Sequence, residues 1–331
     1  MTAGDRMKAA VQHRYGPPDE VFAVEEIAPP VPKADDVLVR VRAAGVNWSD
    51  KALAIGQPYV MRLGYGLRRP RKGIRGTDIA GVVEGVGSEV TQFRAGDEVI
   101  GWCMSAFAEY VAVKQDQLVV KPERLTFEQA AALPMAGCVA IQALRDVAKT
   151  KPGDKVLVNG ASGGIGSFVV QIARSLGADV TGVCSTPNLE FVRSLGAKRV
   201  IDYTSHDFID DDDRYDLIFD IADNQTLRDR RRALTRKGTL IPNSGEGGPL
   251  TGSIGRILKA WIVSPFVSQR LRPFLSMTKR DDLLALCALI EAGDLTPVVG
   301  KTYPLGDVGA AIDQAGSGHA RGRTVVSLTD T

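Results

Sequence analysis

The sequence predicts an α/β protein with two domains, a β-rich domain followed by a doubly wound parallel sheet. Three observations predict this fold class. At 331 residues the chain is longer than one hydrophobic core usually supports. Apolar and polar residues alternate along residues 37–43, as in a strand with one buried face. From residue 155 onward, strand and helix patterns follow one another in turn, which favours right-handed crossovers between parallel strands.

The individual elements follow from periodicity and from turn residues. In the first third, short strands are predicted at 37–43, 81–87 and 109–113. Thr126 and Gln129 have the spacing of a capping box, which predicts a helix beginning there, and a second helix is predicted at 139–148. Later strands are predicted at 155–159, 179–183, 199–203, 215–220, 238–242 and 324–328. Helices are predicted at 165–176, 188–195, 225–234, 253–263, 280–292 and after Asp307.

Composition favours a small-molecule partner. Lys plus Arg (41) nearly balances Asp plus Glu (39), so no overall basic field indicates a nucleic-acid partner or a membrane partner. No stretch approaches the roughly 18 apolar residues of a membrane span, and the first residues lack the apolar core of a signal peptide. The cysteines lie far apart without CxxC spacing, which disfavours disulfides or a zinc knuckle. We therefore expect reduced thiols and a cytoplasmic location.

A glycine-rich turn between the strand at 155–159 and the following helix predicts a dinucleotide site. Ala161, Gly163 and Gly166 match the GxGxxG fingerprint with alanine in the first position. Phosphate oxygens would meet backbone amides at the helix N-terminus. The predicted cofactor-binding loop consists of Gly160, Ala161, Ser162, Gly163, Gly164, Ile165 and Gly166. The alternative is a tight βα turn without a ligand, which the flanking strand and helix make less favourable.

The end of the next strand bears on the choice of cofactor. An NAD site usually has Asp or Glu there to hold the ribose 2′-hydroxyl, whereas this chain has Ser185, Thr186, Pro187 and Asn188. Without that carboxylate a 2′-phosphate is not repelled, and the hydroxyl and amide groups of Ser185, Thr186 and Asn188 can donate to it. We therefore predict NADPH as the cofactor, with NADH possible. Alternatively, these residues cap the following helix.

Motifs spread over nearly the whole chain resemble the medium-chain dehydrogenase/reductase superfamily, specifically its zinc-independent, quinone oxidoreductase-like branch. They are Lys8-Ala-Ala10, Gly45-Val-Asn-Trp-Ser-Asp50, Gly76-Thr-Asp78, Gly81-Val-Val-Glu-Gly-Val-Gly87, Gly96-Asp-Glu-Val-Ile-Gly101, Phe107-Ala-Glu-Tyr110, the glycine loop, Val200-Ile-Asp-Tyr203 and His319-Ala-Arg-Gly322. The resemblance implies a GroES-like β-rich catalytic domain (1–125), a Rossmann domain (126–293) and a C-terminal segment (294–331) that returns to the catalytic domain. It also implies a homodimer, with substrate and nicotinamide in the cleft between the domains.

The resemblance assigns further residues. Zinc-dependent relatives have cysteine where Asn47 stands and histidine where Thr77 stands, and neither replacement is a good zinc ligand, so we expect no metal. Tyr203 and Arg321 resemble positions that contact the cofactor. Close relatives often have Arg or Lys at the position of Pro187, which removes one support for NADPH.

Three residues are predicted to be catalytic. Asn47 and Asp50 resemble residues of the family's substrate cleft, and Asn47 can hold a cofactor phosphate or the substrate carbonyl; the alternative is that both form a turn. Tyr59 can give a proton or a hydrogen bond to an enolate, or it is an exposed loop residue.

The leading hypothesis is hydride transfer from NADPH to a quinone or an α,β-unsaturated carbonyl, driven by positioning and by hydrogen-bond donors. A second hypothesis is an NAD(P)-dependent alcohol dehydrogenase or carbonyl reductase, which needs a proton donor such as Tyr59. A third is a non-catalytic NADPH-binding or RNA-binding protein. The basic cluster Arg68-Arg-Pro-Arg-Lys72 could hold RNA, but solvated charge is the usual role of such runs.

Overall fold

A computed structural model describes residues 6–71, 73–243, 268–318 and 320–329. The chain forms two compact units. The first unit combines residues 1–138 with residues 278–331, and the second is the continuous segment 139–277.

Helices and strands alternate along most of the described chain. In chain order they are β1 (Met7–Gln12), α1 (Pro18–Val21), β2 (Phe22–Ile27), β3 (Asp36–Gly45), α2 (Trp48–Ile55), α3 (Arg62–Tyr65), β4 (Asp78–Val86), β5 (Glu98–Trp102), β6 (Tyr110–Lys114), β7 (Leu118–Val120), α4 (Phe127–Ala131), α5 (Pro134–Ile141), β8 (Lys155–Asn159), α6 (Gly166–Ser175), β9 (Asp179–Cys184), α7 (Leu189–Ser194), β10 (Arg199–Asp202), β11 (Tyr215–Asp220), α8 (Leu227–Arg232), β12 (Leu234–Pro242), β13 (Arg270–Leu271), α9 (Arg280–Glu291), β14 (Val299–Pro304), α10 (Val308–Ala315) and β15 (Arg323–Ser327).

The first unit is built on a seven-stranded sheet. Its strand order is β14-β15-β3-β4-β5-β7, and β6 also pairs with β3. Buried apolar residues from several of these strands, among them Val39, Val41, Ile79 and Val326, form its core with Phe107. The last strand, β15, pairs antiparallel with β3, so the C-terminal end of the chain lies beside its N-terminal third.

The second unit is built on six parallel strands in the order β10-β9-β8-β11-β12-β13. This order, in which the direction of strand addition reverses between β8 and β11, is that of a Rossmann sheet. Leu157, Ile218 and Leu240 fill its core from neighbouring strands. The predicted fold class, a β-rich domain with a doubly wound parallel sheet, is confirmed.

The units begin and end at other residues than the predicted domain boundaries of 125/126 and 293/294. Two helices that lie within the Rossmann bounds implied by the resemblance, 126–293, pack in the first unit. Helix α4 contacts β3 and β4. Arg280, at the start of α9, donates to the Leu118 carbonyl at 3.2 Å, and Arg124 donates to the Ile290 carbonyl near its end at 2.8 Å.

The predicted helices and strands differ most from the observed ones where pairing between strands overrides the local periodicity of the sequence. The predicted capping box is present, since Thr126 Oγ1 accepts from the Gln129 amide and Gln129 Oε1 accepts from the Thr126 amide. The predicted helix at 225–234 is too long, because Leu234 already pairs with Tyr215 as the first residue of β12. The predicted helix at 253–263, and most of the apolar segment 249–276, lies outside the described residues.

No helix in the described ranges is long and apolar enough to cross a membrane.

Candidate active site and cofactor loop

The predicted glycine loop joins β8 to α6 at the carboxyl end of the parallel sheet. Gly160 has φ +92°, a left-handed conformation that glycine adopts without strain. The amides of Gly160 and Ala161 both donate to the Val183 carbonyl on β9, at 3.1 and 3.0 Å. The loop is therefore held against the neighbouring strand, with α6 beginning at Gly166.

Two glycines of the loop are constrained in different ways. A Cβ atom on Gly166 would collide with the Gly160 carbonyl oxygen and lie 2.9 Å from Ala161 Cα. A Cβ atom on Gly163 would meet only the Gly160 carbonyl oxygen, at an ordinary 3.4 Å. Gly166 thus allows the close packing of helix and strand, while Gly163 leaves open space where a pyrophosphate would approach. Both features fit the predicted dinucleotide.

A buried polar network lies at the end of β8, directly before the loop. Asn159, the last residue of β8, donates from Nδ2 to Asp220 Oδ1 at 2.8 Å and to Asn224 Oδ1 at 2.9 Å. Asp220 is fully buried and also forms an ion pair with Arg230, which contacts Asp223 as well. This network was not predicted. The signal for it in the sequence is an Asn and an Asp that each end an apolar strand of one parallel sheet.

The residues predicted to meet the 2′-phosphate lie after β9, but an acid lies beside them. Asn188 donates to Ser185 Oγ at 3.2 Å, and Thr186 donates its hydroxyl proton to Asp202 Oδ2 at 2.6 Å. Hydrogen bonds from Thr186 and Thr204 lower the pKa of Asp202. As predicted, β9 itself ends without a carboxylate, but the prediction considered only that strand, and the parallel neighbour β10 pairs Asp202 with Cys184.

Tyr203 follows Asp202 directly. Its side chain is about half exposed (48%) and its amide donates to the Cys184 carbonyl at 3.1 Å. Together with Ser185 and Asn188 it presents polar groups at this edge of the sheet. Ser185, Asn188 and Tyr203 thus lie at one edge of the sheet and stay predicted contacts for the ribose end of a dinucleotide, while Thr186 is hydrogen-bonded to Asp202.

In the first unit, Asn47, Thr77, Asp78 and Arg323 form one polar cluster. Asn47 Nδ2 donates to Thr77 Oγ1 at 3.0 Å and to Asp78 Oδ2 at 3.2 Å. Arg323 donates from Nη2 to Asn47 Oδ1 at 2.7 Å and to Asp78 Oδ2 at 3.3 Å. Asn47, Asp78 and Arg323 are buried, and Thr77 is partly exposed. Asp78 and Arg323 were not predicted, although each is a charged residue at the start of an apolar strand.

This cluster does not fit a catalytic zinc ion. A guanidinium already neutralises the carboxylate of Asp78 and occupies the oxygen of Asn47, so the cation of the cluster is a side chain. Asn47 turns its amide nitrogen, a hydrogen-bond donor, towards Thr77 and Asp78. Among the described residues, no group of three or more His, Cys, Asp or Glu side chains could hold a metal ion.

Asp50 is a buried acid beside this cluster. Its carboxylate is fully buried and accepts from the Asn47 amide at 2.8 Å. Burial raises the pKa of Asp50 to about 7, opposed by the hydrogen bond from Asn47 and assisted by the charge of Asp78. Asn47 and Asp50 thus lie together as predicted, but their contact is the one expected of a helix N-terminus.

The stability of the folded protein should respond to the titration of Asp50. Because its folded pKa of about 7 exceeds the ordinary 3.8, Asp50 contributes stability at low pH that is lost as the pH rises through 7. Asp50→Asn keeps an oxygen for the Asn47 amide and cannot ionise. We expect this variant to be more stable than the wild type above pH ~7, by up to about 4 kcal/mol, with the difference vanishing near pH 4.

Melting temperatures of both proteins, measured across that pH range, check this expectation. Asp212→Asn, at an exposed loop position, is the matched control and should follow the wild type throughout. Parallel curves for Asp50→Asn and the wild type would show that Asp50 does not retain its proton.

Tyr59 and Arg321 lie apart from these groups in different ways. The Tyr59 side chain is 45% exposed, and its ring packs under the Arg62 guanidinium at 4.8 Å from the ring centroid. Within the described chain, no hydrogen bond joins Tyr59 to the Asn47 cluster. Arg321 is exposed, whereas Arg323, two residues later, is buried in that cluster. The assignment of Arg321 as a cofactor contact stays a prediction.

Comparisons with known proteins agree with this architecture. Residues 33–123 match the family described as alcohol dehydrogenase GroES-like domain, and residues 195–326 match the family described as zinc-binding dehydrogenase. Human quinone oxidoreductase is 32% identical, with 99% of this chain and 100% of that protein covered. The NADPH-dependent alkenal/one oxidoreductase of Arabidopsis thaliana is 31% identical, with coverages of 97% and 79%.

A solved structure is similar over the same length. The quinone oxidoreductase from Coxiella burnetii superposes with a TM-score of 0.86 at 28% identity, with 98% of this chain and 100% of that chain covered. This chain belongs to the medium-chain dehydrogenase/reductase superfamily, in its quinone oxidoreductase-like branch, and is an oxidoreductase.

Proposed function

We propose that this protein reduces quinones or α,β-unsaturated carbonyls by hydride transfer from a nicotinamide dinucleotide, without a metal ion. One observation carries the proposal most directly: Asn47 and Thr77, which stand where zinc-dependent relatives have ligands, are bonded to each other, and Asn47 is also bonded to Asp78 and Arg323. These groups are therefore not arranged to hold the zinc ion that polarises an alcohol or a simple carbonyl. A quinone or an enone is already electron-poor and needs no Lewis acid. The names of the similar quinone and alkenal/one oxidoreductases support the same substrate classes.

The residues of the chain have separable tasks in this reaction. The bound dinucleotide supplies a hydride from C4 of its reduced nicotinamide. The loop between Gly160 and Gly166 binds the pyrophosphate through backbone amides, and Asn159 holds the start of the loop in place. A proton from solvent or from an acidic side chain completes the reduction of the quinone or enone. Tyr59 remains the predicted donor to the enolate, since its phenol ring is exposed.

Asn47 acts as a positioning residue in this proposal. Its amide is committed to Thr77, Asp78 and Arg323, so it orders those groups and is not free to bind a substrate carbonyl. Thr77 is the partly exposed member of the cluster, and its hydroxyl donates to Asp78 Oδ1 at 3.2 Å. The cluster thus offers a pre-ordered polar surface whose charges are already balanced.

For the cofactor, we propose NADPH as the preferred hydride donor and NADH as an accepted one. Ser185, Asn188 and Tyr203 supply donors at the ribose end, and β9 ends without an acid of its own. Asp202 and Pro187 oppose a strong preference, the first by its negative charge beside Thr186 and the second by the absence of a cation. The expected preference is therefore modest.

The test measures cofactor binding and product separately. NADPH and NADH are titrated into the wild type and into Asp202→Asn, with reduced-nicotinamide fluorescence as the readout. Removal of the carboxylate should tighten NADPH binding by about two- to fivefold, as expected for a screened surface charge, and leave NADH binding nearly unchanged. Failure of both cofactors to bind the wild type contradicts the proposal.

The reaction class is tested with an enone and a water-soluble benzoquinone, before and after dialysis against a chelator. We expect consumption of NADPH with both substrates, a saturated ketone as the product of the enone, and no loss of rate after chelation. An allylic alcohol as product would instead identify a carbonyl reductase. A rate abolished by chelation and restored by zinc would overturn the metal-free reaction.

A further inference from the structure

A small surface of the first unit combines exposed aliphatic side chains with exposed arginines. We call it the 60–69 patch and define it by Val60, Leu63, Leu67, Arg68 and Arg69. The exposed fractions of the aliphatic residues are 44% for Val60, 68% for Leu63 and 66% for Leu67. Both arginines are exposed as well. Single exposed apolar residues are ordinary, but three within eight positions beside two cations form a distinct surface.

The loop that carries the patch is firmly attached to the unit. Arg62 donates from Nε to the Gly56 carbonyl at 2.8 Å and from Nη2 to the Ile55 carbonyl at 3.2 Å. Its guanidinium also packs on the Tyr15 ring, 4.4 Å from the centroid. Tyr15 in turn donates its hydroxyl to the Gly66 carbonyl at 2.7 Å. The aliphatic side chains therefore point outward from an ordered loop.

The chain segment that carries the patch has a strongly one-sided charge, although its Lys51 pairs with Asp313 and its Arg75 is buried. Between Asp50 and Asp78 the sequence contains seven Lys and Arg residues and no Asp or Glu. This segment alone carries more positive charge than the net +2 of the whole chain. We expected no membrane partner because the net charge is nearly balanced, but that average hides a local excess of cations.

We propose that the 60–69 patch binds reversibly to the surface of an anionic lipid bilayer. Aliphatic side chains would enter the boundary between headgroups and acyl chains, while Arg68 and Arg69 would meet the lipid phosphates. The combination favours a bilayer over RNA, because the most exposed apolar side chains of the segment, Leu63 and Leu67, are aliphatic and give bases no surface to stack on. The exposed rings of Tyr59 and Tyr65 beside them also suit the headgroup level of a bilayer. The combination also disfavours a second copy of the chain, since a two-fold contact would bring these arginines together.

The consequence for catalysis rests on the proposed function. A quinone with an isoprenoid tail resides in a bilayer, so a reductase that docks on the bilayer reaches its substrate at a higher local concentration. The docking itself needs neither cofactor nor substrate and is tested without them.

The test is co-sedimentation of the full chain with vesicles of phosphatidylcholine, with and without phosphatidylglycerol. We expect retention on the anionic vesicles only, and release as the salt concentration rises. Arg68→Gln/Arg69→Gln should weaken partitioning by roughly 20- to 30-fold, because each cation near an anionic surface strengthens it about fivefold. Leu63→Ser/Leu67→Ser should weaken it as well, at all salt concentrations.

Two matched variants serve as controls. Arg236→Gln/Lys237→Gln removes two exposed cations from β12, and Leu275→Ser removes an aliphatic side chain that is 90% exposed. Both should sediment like the wild type, and melting curves establish that every variant is folded.

Three results would overturn the proposal. The first is absence of the wild type from anionic vesicles at low salt. The second is retention that the patch variants and the control variants reduce equally. The third is a dimer in analytical ultracentrifugation that dissociates in Leu63→Ser/Leu67→Ser, since the patch would then be a subunit interface. Salt-sensitive binding to a single-stranded RNA homopolymer without vesicle binding would assign the cations to nucleic acid.

Discussion

Gly166→Ala is expected to weaken dinucleotide binding by about tenfold to a hundredfold. The added Cβ would collide with the Gly160 carbonyl oxygen and lie 2.9 Å from Ala161 Cα, and both are backbone atoms that cannot move aside alone. Overpacking of this kind costs about 1–3 kcal/mol. If this cost raises the free energy of the loop conformation that binds the dinucleotide, every 1.4 kcal/mol increases Kd about tenfold. The melting temperature should fall as well.

Gly163→Ala is the matched control, because its Cβ makes an ordinary contact at 3.4 Å. This variant should melt like the wild type and yet bind NADPH more weakly, since the methyl group would occupy space that the pyrophosphate needs. Calorimetric melting and fluorescence titration separate the two effects. Normal NADPH binding by both variants would show that the pyrophosphate lies elsewhere.

Arg323→Met is expected to destabilise the first unit by about 3–5 kcal/mol. The substitution leaves the buried carboxylate of Asp78 without its cation, and a broken buried ion pair costs that much. Burial already raises the pKa of Asp78, and the charge of Arg323 opposes the rise. Without Arg323 the native state should favour a protonated Asp78, so the loss of stability should grow as the pH increases.

Calorimetry on the single and double variants checks this expectation, with a fall in melting temperature on the order of 10 °C for Arg323→Met. Asp78→Asn/Arg323→Met removes both charges and should recover much of the loss. If the double variant is no more stable than Arg323→Met, the ion pair is not the source of the effect. An unchanged Arg323→Met would contradict the buried cluster itself.

Local patterns predicted much of the Rossmann unit because its strands are nearly continuous apolar runs bounded by glycine and polar turns. The strands at 155–159 and 215–220 were predicted with the bounds that the structure gives them. The helix at 225–234 was predicted too long, since the pairing of Leu234 with Tyr215 is a contact between strands that periodicity does not reveal.

In the candidate sites too, local features were predicted and contacts between distant segments were not. The glycine loop is a local feature, since its strand, turn and helix are consecutive, and the sequence therefore located it. Asp202 reaches Thr186, and Arg323 reaches Asn47, only through neighbouring strands of a sheet. Such contacts depend on strand order, which no single segment contains. The family resemblance predicted that Asn47 could hold a cofactor phosphate or the substrate carbonyl, but it did not predict the hydrogen bonds of Asn47 to Thr77, Asp78 and Arg323.

The position of Arg323 after the Rossmann unit along the chain also has a consequence for biosynthesis. Residues 139–277 are continuous, so the Rossmann unit has all of its own chain once residue 277 has been synthesised. The first unit begins earlier but needs β15 to pair with β3 and to supply the cation that Asn47 and Asp78 share. Domains fold as units as their residues emerge during synthesis. Of the two units, the first is therefore completed after the second. A nascent chain that ends just before residue 323 lacks the cation that balances the charge of Asp78.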